Sequence, residues 1–394
     1  MSAEANLSSV AKIAETEIGV TPDNPELTII GITGESLKNA KETVASQTIR
    51  ADRQVPDLAK VALNPEGGYE FELNYGDYDQ ELRGGLGATE WSNHDQAAGD
   101  VAFDSATQTL VDNGGGGIYS DLVVGGLLTI ANAEDEANNG HKRVMAVSPD
   151  GNTVTFAPGS IVTTNAGDEA ATTKMIAIAN GREKPSLTLE KEILNNQNQK
   201  VYQVYRGMVI DTLNISIESR AIITGSVTLI GLNRTLGNAT VDTNGVYTQP
   251  TSNPIMNGKN NVGTIKLDGQ AATERFKSLS IEISNNLRGK DAIGTEGNFD
   301  IGTGTFQLTG TLSSYFFNND FLAKIDDHTS FSLETSVTDP EGNAYHFFMP
   351  NCKTADGDPM IESINSDVML DMQYQAILSR EYGITFAITK IPAS

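Results

Sequence analysis

The residues that could carry out catalysis are few, and they lie far apart in this sequence. Ser9 and Lys12 have the Ser-x-x-Lys spacing of some acyl-transfer enzymes, but the partner motifs of those enzymes are missing. No histidine stands at metal-ligand spacing from another or beside a nucleophile motif. The four histidines, which we expect on the surface or in the core, are His94, His141, His328 and His346. The sequence therefore predicts no catalytic residues.

Sites for phosphate, metal ions or cofactors are not predicted either. The glycines at 114–117 lack the Lys-Ser or Lys-Thr that follows in a phosphate-binding loop, so we interpret them as a flexible turn. Asp356, Asp358 and Glu362 offer oxygen ligands, but their spacing departs from the twelve-residue calcium loop, and solvated loop acids are the better interpretation. Cys352, the single cysteine, has no partner for a disulfide or a zinc site, and we expect an inert thiol.

The chain is strongly acidic. It has 51 Asp and Glu against 27 Lys and Arg residues, a formal net charge of -24. Duplex DNA should not adhere to such a protein, although solubility at high concentration explains the surplus equally well. No stretch approaches the roughly 20 apolar residues of a membrane span, and the start lacks the pattern of a secretory signal. We expect a protein that is made and kept in a cytoplasm, without membrane contact.

Strand patterns dominate the sequence from about residue 26 onward. Apolar and polar residues alternate in residues 187–189, 227–229 and 279–283, which predicts sheets with one buried face. Turn residues predict hairpins at residues 150–151 (DG) and 339–343 (DPEGN). The sequence thus indicates a mainly β fold.

Two short helices are predicted where apolar residues recur at helical spacing, each after a strand. The first carries Tyr78, Leu82 and Leu86. The second carries Leu312, Tyr315, Phe316, Leu322 and Ile325. Because residues 71–73 (FEL) precede the first helix and residues 306–308 (FQL) precede the second, the pattern indicates an internal duplication.

A second pair of matches supports the duplication. Residues 187–189 and 201–205 resemble residues 331–333 and 344–348, but they lie farther from their helix, so the first copy must contain an insertion. β-rich chains also resemble one another through alternation alone, and that alternative stays open. We predict a loosely held N-terminal arm (1–20), a first domain (21–91 and 184–233), an inserted small β domain (92–183), a linker (234–264) and a second domain (265–394).

Several short motifs follow one another in a distinctive order. Residues 49–54 (IRADRQ) and 69–75 (YEFELNY) come first. The later motifs are residues 205–209 (YRGMV), 223–227 (ITGSV), 285–288 (NNLR) and 309–312 (TGTL). In this order they resemble phage tail tube proteins, and they look closer to those of long-tailed phages without a contractile sheath. A tube inside a contractile sheath stays an alternative.

This resemblance implies two tandem tail-tube-type β-sandwich or barrel domains, each with a flanking helix, whose inner sheets join around a ring. Similar tubes are commonly six-fold, so a chain with two fused copies would close a ring as a trimer, with a hexamer as the alternative. The rings would stack into the virion tail tube, assembled in the host cytoplasm, through which viral DNA passes without specific binding. The implied partners are further copies of the chain, the tape-measure protein, and the tail terminator and distal tail proteins.

The segment from about residue 35 to residue 60 is the expected reaching loop between rings, because its centre lacks strand alternation. It carries Lys38, Lys41, Arg50, Arg53 and Lys60 in an otherwise acidic chain. We predict that these cations meet carboxylates of a neighbouring subunit or ring. The predicted contact residues are Arg50, Asp52, Arg53, Arg288 and Lys290. An ordinary solvated loop is the alternative, since exposed ion pairs contribute only about 0–1 kcal/mol.

Two other classes of protein share some of these sequence features. A β-rich cell-surface or adhesion module would share the acidity and the turns, but it would normally begin with a secretion signal. A polysaccharide-cleaving enzyme would need paired acids and aromatic platforms, and one Trp with 6% aromatic residues argues against it. The sequence therefore favours a structural protein that assembles with copies of itself and is no enzyme.

Overall fold

The computed structural model describes residues 7–195, 197, 199–259, 262–272, 275–316, 319–361 and 363–393. The first six residues of the predicted arm and Glu362 lie outside this part of the chain. Antiparallel strands make up most of it, so the prediction of a mainly β fold is confirmed.

The elements before and after the predicted insertion site form a first unit. Its first elements are β1 (Ser9–Ala14), β2 (Thr28–Ile29), β3 (Ile32–Glu35), β4 (Lys38–Ala45), β5 (Leu58–Glu72) and α1 (Asp79–Leu86). Eight strands follow: β6 (Ser92–Gln96), β7 (Val101–Asp104), β8 (Thr109–Asp112), β9 (Leu127–Ala131), β10 (Gly140–Val147), β11 (Thr153–Phe156), β12 (Asn165–Asp168) and β13 (Thr172–Ala179). The first unit then continues with β14 (Ser186–Leu194), β15 (Lys200–Glu218), β16 (Thr224–Ile230) and β17 (Asn233–Gly237).

The rest of the chain forms a second unit. Its first elements are β18 (Lys266–Leu267), β19 (Gln270–Ala271), β20 (Phe276–Ser284), β21 (Arg288–Lys290), β22 (Asp300–Gly302), β23 (Gln307–Tyr315) and α2 (Asp320–Asp326). The last strands are β24 (Ser330–Thr338), β25 (Ala344–Asp356), β26 (Pro359–Met360), β27 (Met369–Ala376) and β28 (Ala387–Ile391).

The two units share one order of paired strands. In the first unit β1 pairs with β14, and the order continues through β15, β16 and β5 to β3 and β4. In the second unit β18 pairs with β24, and the order continues through β25, β27 and β23 to β20. Because every pairing is antiparallel, the two units have the same arrangement of strand directions.

Irregularities in the strands also recur at matching places. The bulge between Ile210 and Thr212 of β15 has its counterpart between Thr354 and Asp356 of β25. The shift between Ile32 and Gly34 of β3 has its counterpart between Phe276 and Ser278 of β20. A bulge changes the local bend and register of a strand, so matched bulges identify equivalent residues in the two units.

These bulges correct the residue matches made from the sequence. Phe71 corresponds to Ser314 of β23, and Phe306 precedes that strand. The sequence match of residues 201–205 with residues 344–348 is shifted by one position from the match that the strand pairing gives. Alternation repeats every two residues, so a match that slips by an even number of positions still looks correct. The start of β25 is buried on both faces and offers no alternation to fix its register.

The two units lie side by side in one sheet. The second half of β15 pairs with β20, from Thr212 opposite Ser284 to Glu218 opposite Ser278. The first half of β15 pairs instead with β14 and β17, so this long strand connects two layers. One apolar core fills the space between the layers, and residues of both units contribute to it.

The eight strands β6 to β13 surround a separate apolar core with Phe103, Tyr119 and Phe156 at its centre. β13 then pairs with β28 and attaches these strands to the second unit. The predicted hairpin at residues 150–151 is confirmed between β10 and β11, and the one at residues 339–343 is confirmed between β24 and β25.

The helices differ in part from the prediction. Tyr78, Leu82 and Leu86 are buried on or next to α1, as predicted. Leu312 and Tyr315, predicted on the second helix, lie on β23, where buried and partly exposed residues alternate. Leu322 and Ile325 do lie on α2, as predicted. The end of β23 and α2 follow each other closely in the chain, so their apolar residues together imitated one helical stripe.

Three segments predicted as irregular have regular or packed structure. From Ser9 the predicted loose arm is strand β1, paired with both β14 and β2. The predicted linker packs on the first unit, where the Tyr247 hydroxyl donates to Glu190 at 2.7 Å and Asp242 accepts from the Leu27 amide at 2.7 Å. The predicted reaching loop is mostly the β4–β5 hairpin, and only residues 46–57 lie between its strands.

Candidate assembly interface

One face of the joined sheet is polar and exposed, whereas the other face lies against the core. On this polar face Asn214 lies opposite Ser226 and Glu282, and Thr212 shares a hydrogen bond of 2.7 Å with Thr228. The carboxylates of the polar face are Glu66, Glu70, Glu72, Glu218, Glu282, Asp356 and Asp371, and its cations are Lys38 and Lys353. Side chains alternate between the two faces of a strand, so this charge is fixed on the side away from the core.

The joined sheet has an open edge at each end. Within the described residues β3 and β4 pair only with β5, so the edge along residues 32–40, which we call the leading edge, has no strand beside it. The end of β25 and the short β26 pair with β27 on one side, and within the described residues no strand pairs with residues 354–361, the trailing edge, on the other. Unpaired strand edges expose amide and carbonyl groups and favour pairing with another chain.

Two hairpins project from the same end of the sheet. The first is formed by β4 and β5 around residues 46–57, and the second by β21 and β22 around residues 291–299. They touch each other, since the Leu63 amide donates to the Glu296 carbonyl at 2.9 Å and Lys60 forms an ion pair with Glu296. Both expose apolar side chains, namely Val44, Ile49, Val55, Leu58, Val61, Ile293 and Phe299. Such a concentration of exposed apolar residues is typical of surfaces that contact another protein.

The hairpins carry all five predicted contact residues. Arg50 and Asp52 form a double hydrogen bond in the first loop, with Nε–Oδ1 at 2.9 Å, which raises the pKa of Arg50 and lowers that of Asp52. Arg53 lies in the same loop.

Lys290 pairs with Asp300 at 2.5 Å across the second hairpin, and Arg288 donates to the Thr303 carbonyl at 3.1 Å. Contacts with a neighbouring subunit stay a prediction for all five. The apolar residues beside them were missed, although Ile49 and Val55 in a polar segment were a usable signal.

A buried charge cluster joins the inserted strands to the second unit. The Arg143 guanidinium forms an ion pair with Glu334, donates to His346 Nε2 at 2.9 Å and lies 3.5 Å from the centre of the Phe348 ring. His346 Nε2 also lies 3.4 Å from Glu334 Oε2, and its Nδ1 lies 2.8 Å from the Ser336 hydroxyl. Every charged group here has a partner, which is the condition for burying it.

Acid is expected to weaken this cluster. Burial alone would raise the pKa of Glu334, but its close contact with His346 and the Arg143 charge lower it from 4.5 to about 2. Burial lowers the pKa of His346 below 6.5. Both values are depressed in the folded chain, so the stabilisation that each group contributes is complete above its unfolded value. It is lost as the pH falls, from below 6.5 for His346 and between 4.5 and about 2 for Glu334.

We therefore predict that E334Q lowers the thermal midpoint at pH 6 and that the difference from wild type vanishes near pH 2. Calorimetry across this pH range measures both values. The control is E341Q, because Glu341 is an exposed acid in the adjoining turn and its loss should change little. A constant gap between E334Q and wild type at all pH values would contradict the assignment.

His94 is the histidine whose surroundings most resemble a catalytic arrangement. Its Nδ1 lies 2.9 Å from Asp121 Oδ1, and its Nε2 lies 2.8 Å from the Thr173 hydroxyl. Thr173 is only 3% exposed near the start of β13, so a substrate has no access to the hydroxyl. The trio therefore acts as a hydrogen-bond chain from the exposed Asp121 to the buried Thr173, one that the sequence spacing did not reveal.

Of the remaining candidate residues, Asp356 and Asp358 are exposed, and Glu362 lies outside the described part of the chain. No group of three or more His, Cys, Asp or Glu side chains that could hold a metal occurs within the described ranges. Cys352 is buried in the core, and burial raises the pKa of its thiol, which disfavours the reactive thiolate. Among the described residues no helix has the length and hydrophobicity to cross a bilayer.

Two comparisons with known proteins bear on the family of this chain. A search of curated proteins gave no significant match. A family model described as "Phage tail tube protein" matches residues 5–376, which is nearly the whole chain.

Proposed function

The chain belongs to the phage tail tube protein family, and from this premise we propose that it closes into rings that stack into the tube of a phage tail. Its role is that of a structural component of the virion, with no catalytic step. Viral DNA passes through the tube on its way into the host.

The observation that carries this proposal is the side-by-side arrangement of two equivalent units with open edges at both ends. The internal pairing of β15 with β20 joins unit to unit, and the leading and trailing edges offer the same kind of pairing to further chains. Head-to-tail contacts of this type form a closed ring when the rotation between units closes. Since similar tubes are commonly six-fold, three chains with two units each make the ring, rather than six.

The domain division predicted from the sequence is part of the proposal. Residues 21–91 and 184–233 form the first tube domain, residues 265–394 form the second, and residues 234–264 connect them. Residues 92–183 form the inserted domain, which attaches to the layer opposite the polar face through β13 and β28. The inserted domain then lies on the outside of the ring.

In the ring the polar face lines the lumen. Its other side is filled by the apolar core, so the polar face is the side of the joined sheet that can meet water. Carboxylates on it repel phosphates over a screening length of roughly 8 Å at physiological salt. Ser, Thr, Asn and Gln side chains fill most of the remaining positions, and the wall lets DNA slide without holding it.

Charge reversal on the polar face is expected to make the tube bind DNA. We predict that E70K/E282K/D371K tubes co-sediment with duplex DNA at low salt and release it as salt rises, because new lysine–phosphate contacts displace counterions. The matched control is E134K/E136K/E169K, which adds the same charge on exposed acids of the inserted domain. Equal DNA binding by both triple variants would contradict the assignment of the lumen.

The projecting hairpins connect successive rings. Their exposed apolar side chains would be covered by the next ring, and Arg50, Arg53, Arg288 and Lys290 would meet its carboxylates, with Asp52 orienting Arg50. The same hairpins lie at one end of every ring, so stacking has a fixed polarity. The tape-measure protein inside the tube, and the terminator and distal tail proteins at its ends, are the other partners in this proposal.

We predict that R50E/R53E leaves single rings but shortens or abolishes tubes. Each exposed ion pair contributes only about 0–1 kcal/mol, but the contact repeats around the ring and between all rings. Electron microscopy counts rings and tube lengths. R182E/R380E, which changes two exposed arginines outside the hairpins, is the control. Polymerisation of R50E/R53E equal to that of wild type would refute the contact.

Negative-stain microscopy of the purified protein, combined with native mass spectrometry, tests the proposal as a whole. Rings or tubes with a mass of three chains are expected, at 42.0 kDa per chain. A hexamer would contradict the two-unit stoichiometry. A stable monomer at all concentrations would favour the adhesion-module alternative instead.

A further inference from the structure

The pairing of β15 with β20, which we call the internal junction, indicates how two chains could pair. In the internal junction β15 and β20 run antiparallel, with Asn214 opposite Glu282 and Ser216 opposite Ser280. The polar side chains of both strands lie on the polar face of the joined sheet. Leu213, Ile215 and Ile217 lie on the other side, against the core. A junction between two subunits would follow the same geometry if equivalent strands form it.

The bulges identify those equivalent strands residue by residue. The bulge after Ile210 in β15 is equivalent to the bulge after Thr354 in β25. Asn214 and Asp358 lie the same number of residues beyond these bulges, so Asn214 corresponds to Asp358 on the trailing edge. The pairing of Pro359 with Leu370 and of Met360 with Met369 keeps this register beyond the end of β25.

The leading edge gives its partner in the same way. The register shift after Phe276 in β20 is equivalent to the shift after Ile32 in β3. Glu282 and Lys38 lie the same number of residues beyond these shifts, so Glu282 corresponds to Lys38. By the same count Ser280 corresponds to Ser36. The internal pair of Asn214 with Glu282 therefore translates into Asp358 with Lys38.

Charge agrees with this register. Lys38 is exposed and reaches Glu66 of its own chain at 3.0 Å, and Asp358 is exposed on the trailing edge. In the translated register a cation meets an anion at the position where the internal junction has an amide and a carboxylate. Opposite charges directly across a strand pair stabilise it, whereas like charges destabilise it.

Exposure agrees as well. Ile217 lies opposite Leu279 in the internal junction and is only 5% exposed. Its equivalent on the trailing edge is Ile361, which is 84% exposed in the single chain. Ile361 directly follows β26, and among the described residues no strand lies beside it, so this isoleucine is left in solvent. A second copy of the chain, placed as β20 is placed on β15, would cover it.

Resting on the proposed ring, we propose that the trailing edge of one subunit pairs antiparallel with the leading edge of the next, with Asp358 opposite Lys38 and Met360 opposite Ser36. The occupant of each open edge is a second copy of this chain. The junction between subunits thus repeats the junction within the subunit, and the ring closes with alternating internal and external copies of one contact.

Cysteine pairs test the register directly. Directly opposite residues in an antiparallel pair have Cα atoms about 4.5–5.5 Å apart, within the range that a disulfide spans. On non-reducing gels, oxidised K38C/D358C and S36C/M360C should run as dimers and trimers. No crosslinked species larger than a trimer should appear. E35C/I361C samples the alternate type of pair in the same register, so the test does not depend on which pairs are hydrogen-bonded. The native Cys352 is buried, and the wild-type chain serves as the background.

A40C/M360C is the mismatched control, since these positions lie several residues apart in the proposed register. Rings in the microscope with crosslinks in the matched variants alone support the proposal. Rings without matched crosslinks, or with efficient crosslinking of A40C/M360C, overturn the register and leave the ring intact. If no variant and no wild-type sample forms rings, the proposed tube function itself fails, and the register fails with it.

Discussion

Replacing Glu81 with leucine is expected to lower the free energy of unfolding by about 3–5 kcal/mol, because it leaves a buried lysine without its counter-charge. Lys12 of β1 is 5% exposed and Glu81 of α1 is 0% exposed, and Lys12 Nζ lies 2.5 Å from Glu81 Oε2. Lys12 also donates to the Asp77 carbonyl at 2.7 Å. The Tyr69 hydroxyl donates to Glu81 at 2.6 Å, and burial together with the Glu81 charge raises the pKa of Tyr69 well above its usual value.

The double variant K12M/E81L separates the cost of an unpaired charge from the value of the pair. Apolar side chains of similar volume often replace a buried ion pair with little loss, so the double variant should recover most of the stability. Urea unfolding of each variant gives the free energies, and hydrogen exchange of the β1 amides shows whether that strand is released. A double variant that is less stable than E81L would contradict this interpretation.

Replacing Ile361 with aspartate is expected to prevent ring closure while leaving the subunit folded. In the single chain Ile361 is 84% exposed, so the substitution should change the unfolding midpoint little. In the proposed ring it lies opposite Glu35 on the core side of the junction, where a second carboxylate would be both desolvated and repelled. A cost of about 3 kcal/mol at each junction corresponds to a more than 100-fold rise in the concentration needed for assembly.

Sedimentation across a range of concentrations measures this shift. The matched control is V162D, because Val162 is an exposed apolar residue of the inserted domain, away from both edges. V162D should assemble like wild type. If I361D assembled at the wild-type concentration, Ile361 would not lie in the junction, and the register of the trailing edge would have to be abandoned.

The local pattern of residues was enough to predict several elements. Tyr78, Leu82 and Leu86 recur at the spacing of a helix, and α1 buries them. The turn residues at 150–151 and 339–343 join the hairpins that they predicted. Each of these signals depends on neighbours in the chain, which is why the sequence alone contains them.

Long-range features could not be read in this way. The slipped match of Phe71 with Phe306 kept the right strands and the wrong register, because alternation does not distinguish positions two apart. The predicted loose arm has Lys12 at its centre, and a lysine in a short polar and apolar segment gives no sign that Glu81 will bury it. Only the contact across the fold makes that burial possible.

The sequence by itself determined the strand-rich composition, the short-range turns and the acidic charge, since each is a property of residues close together or summed over the chain. The tertiary structure decided which carboxylates share the polar face, which strand edges stay open and which residues are equivalent in the two units. These depend on strand register between segments far apart in the chain. Pairing across such distances is selected by the packing of the whole core, and no local pattern specifies it.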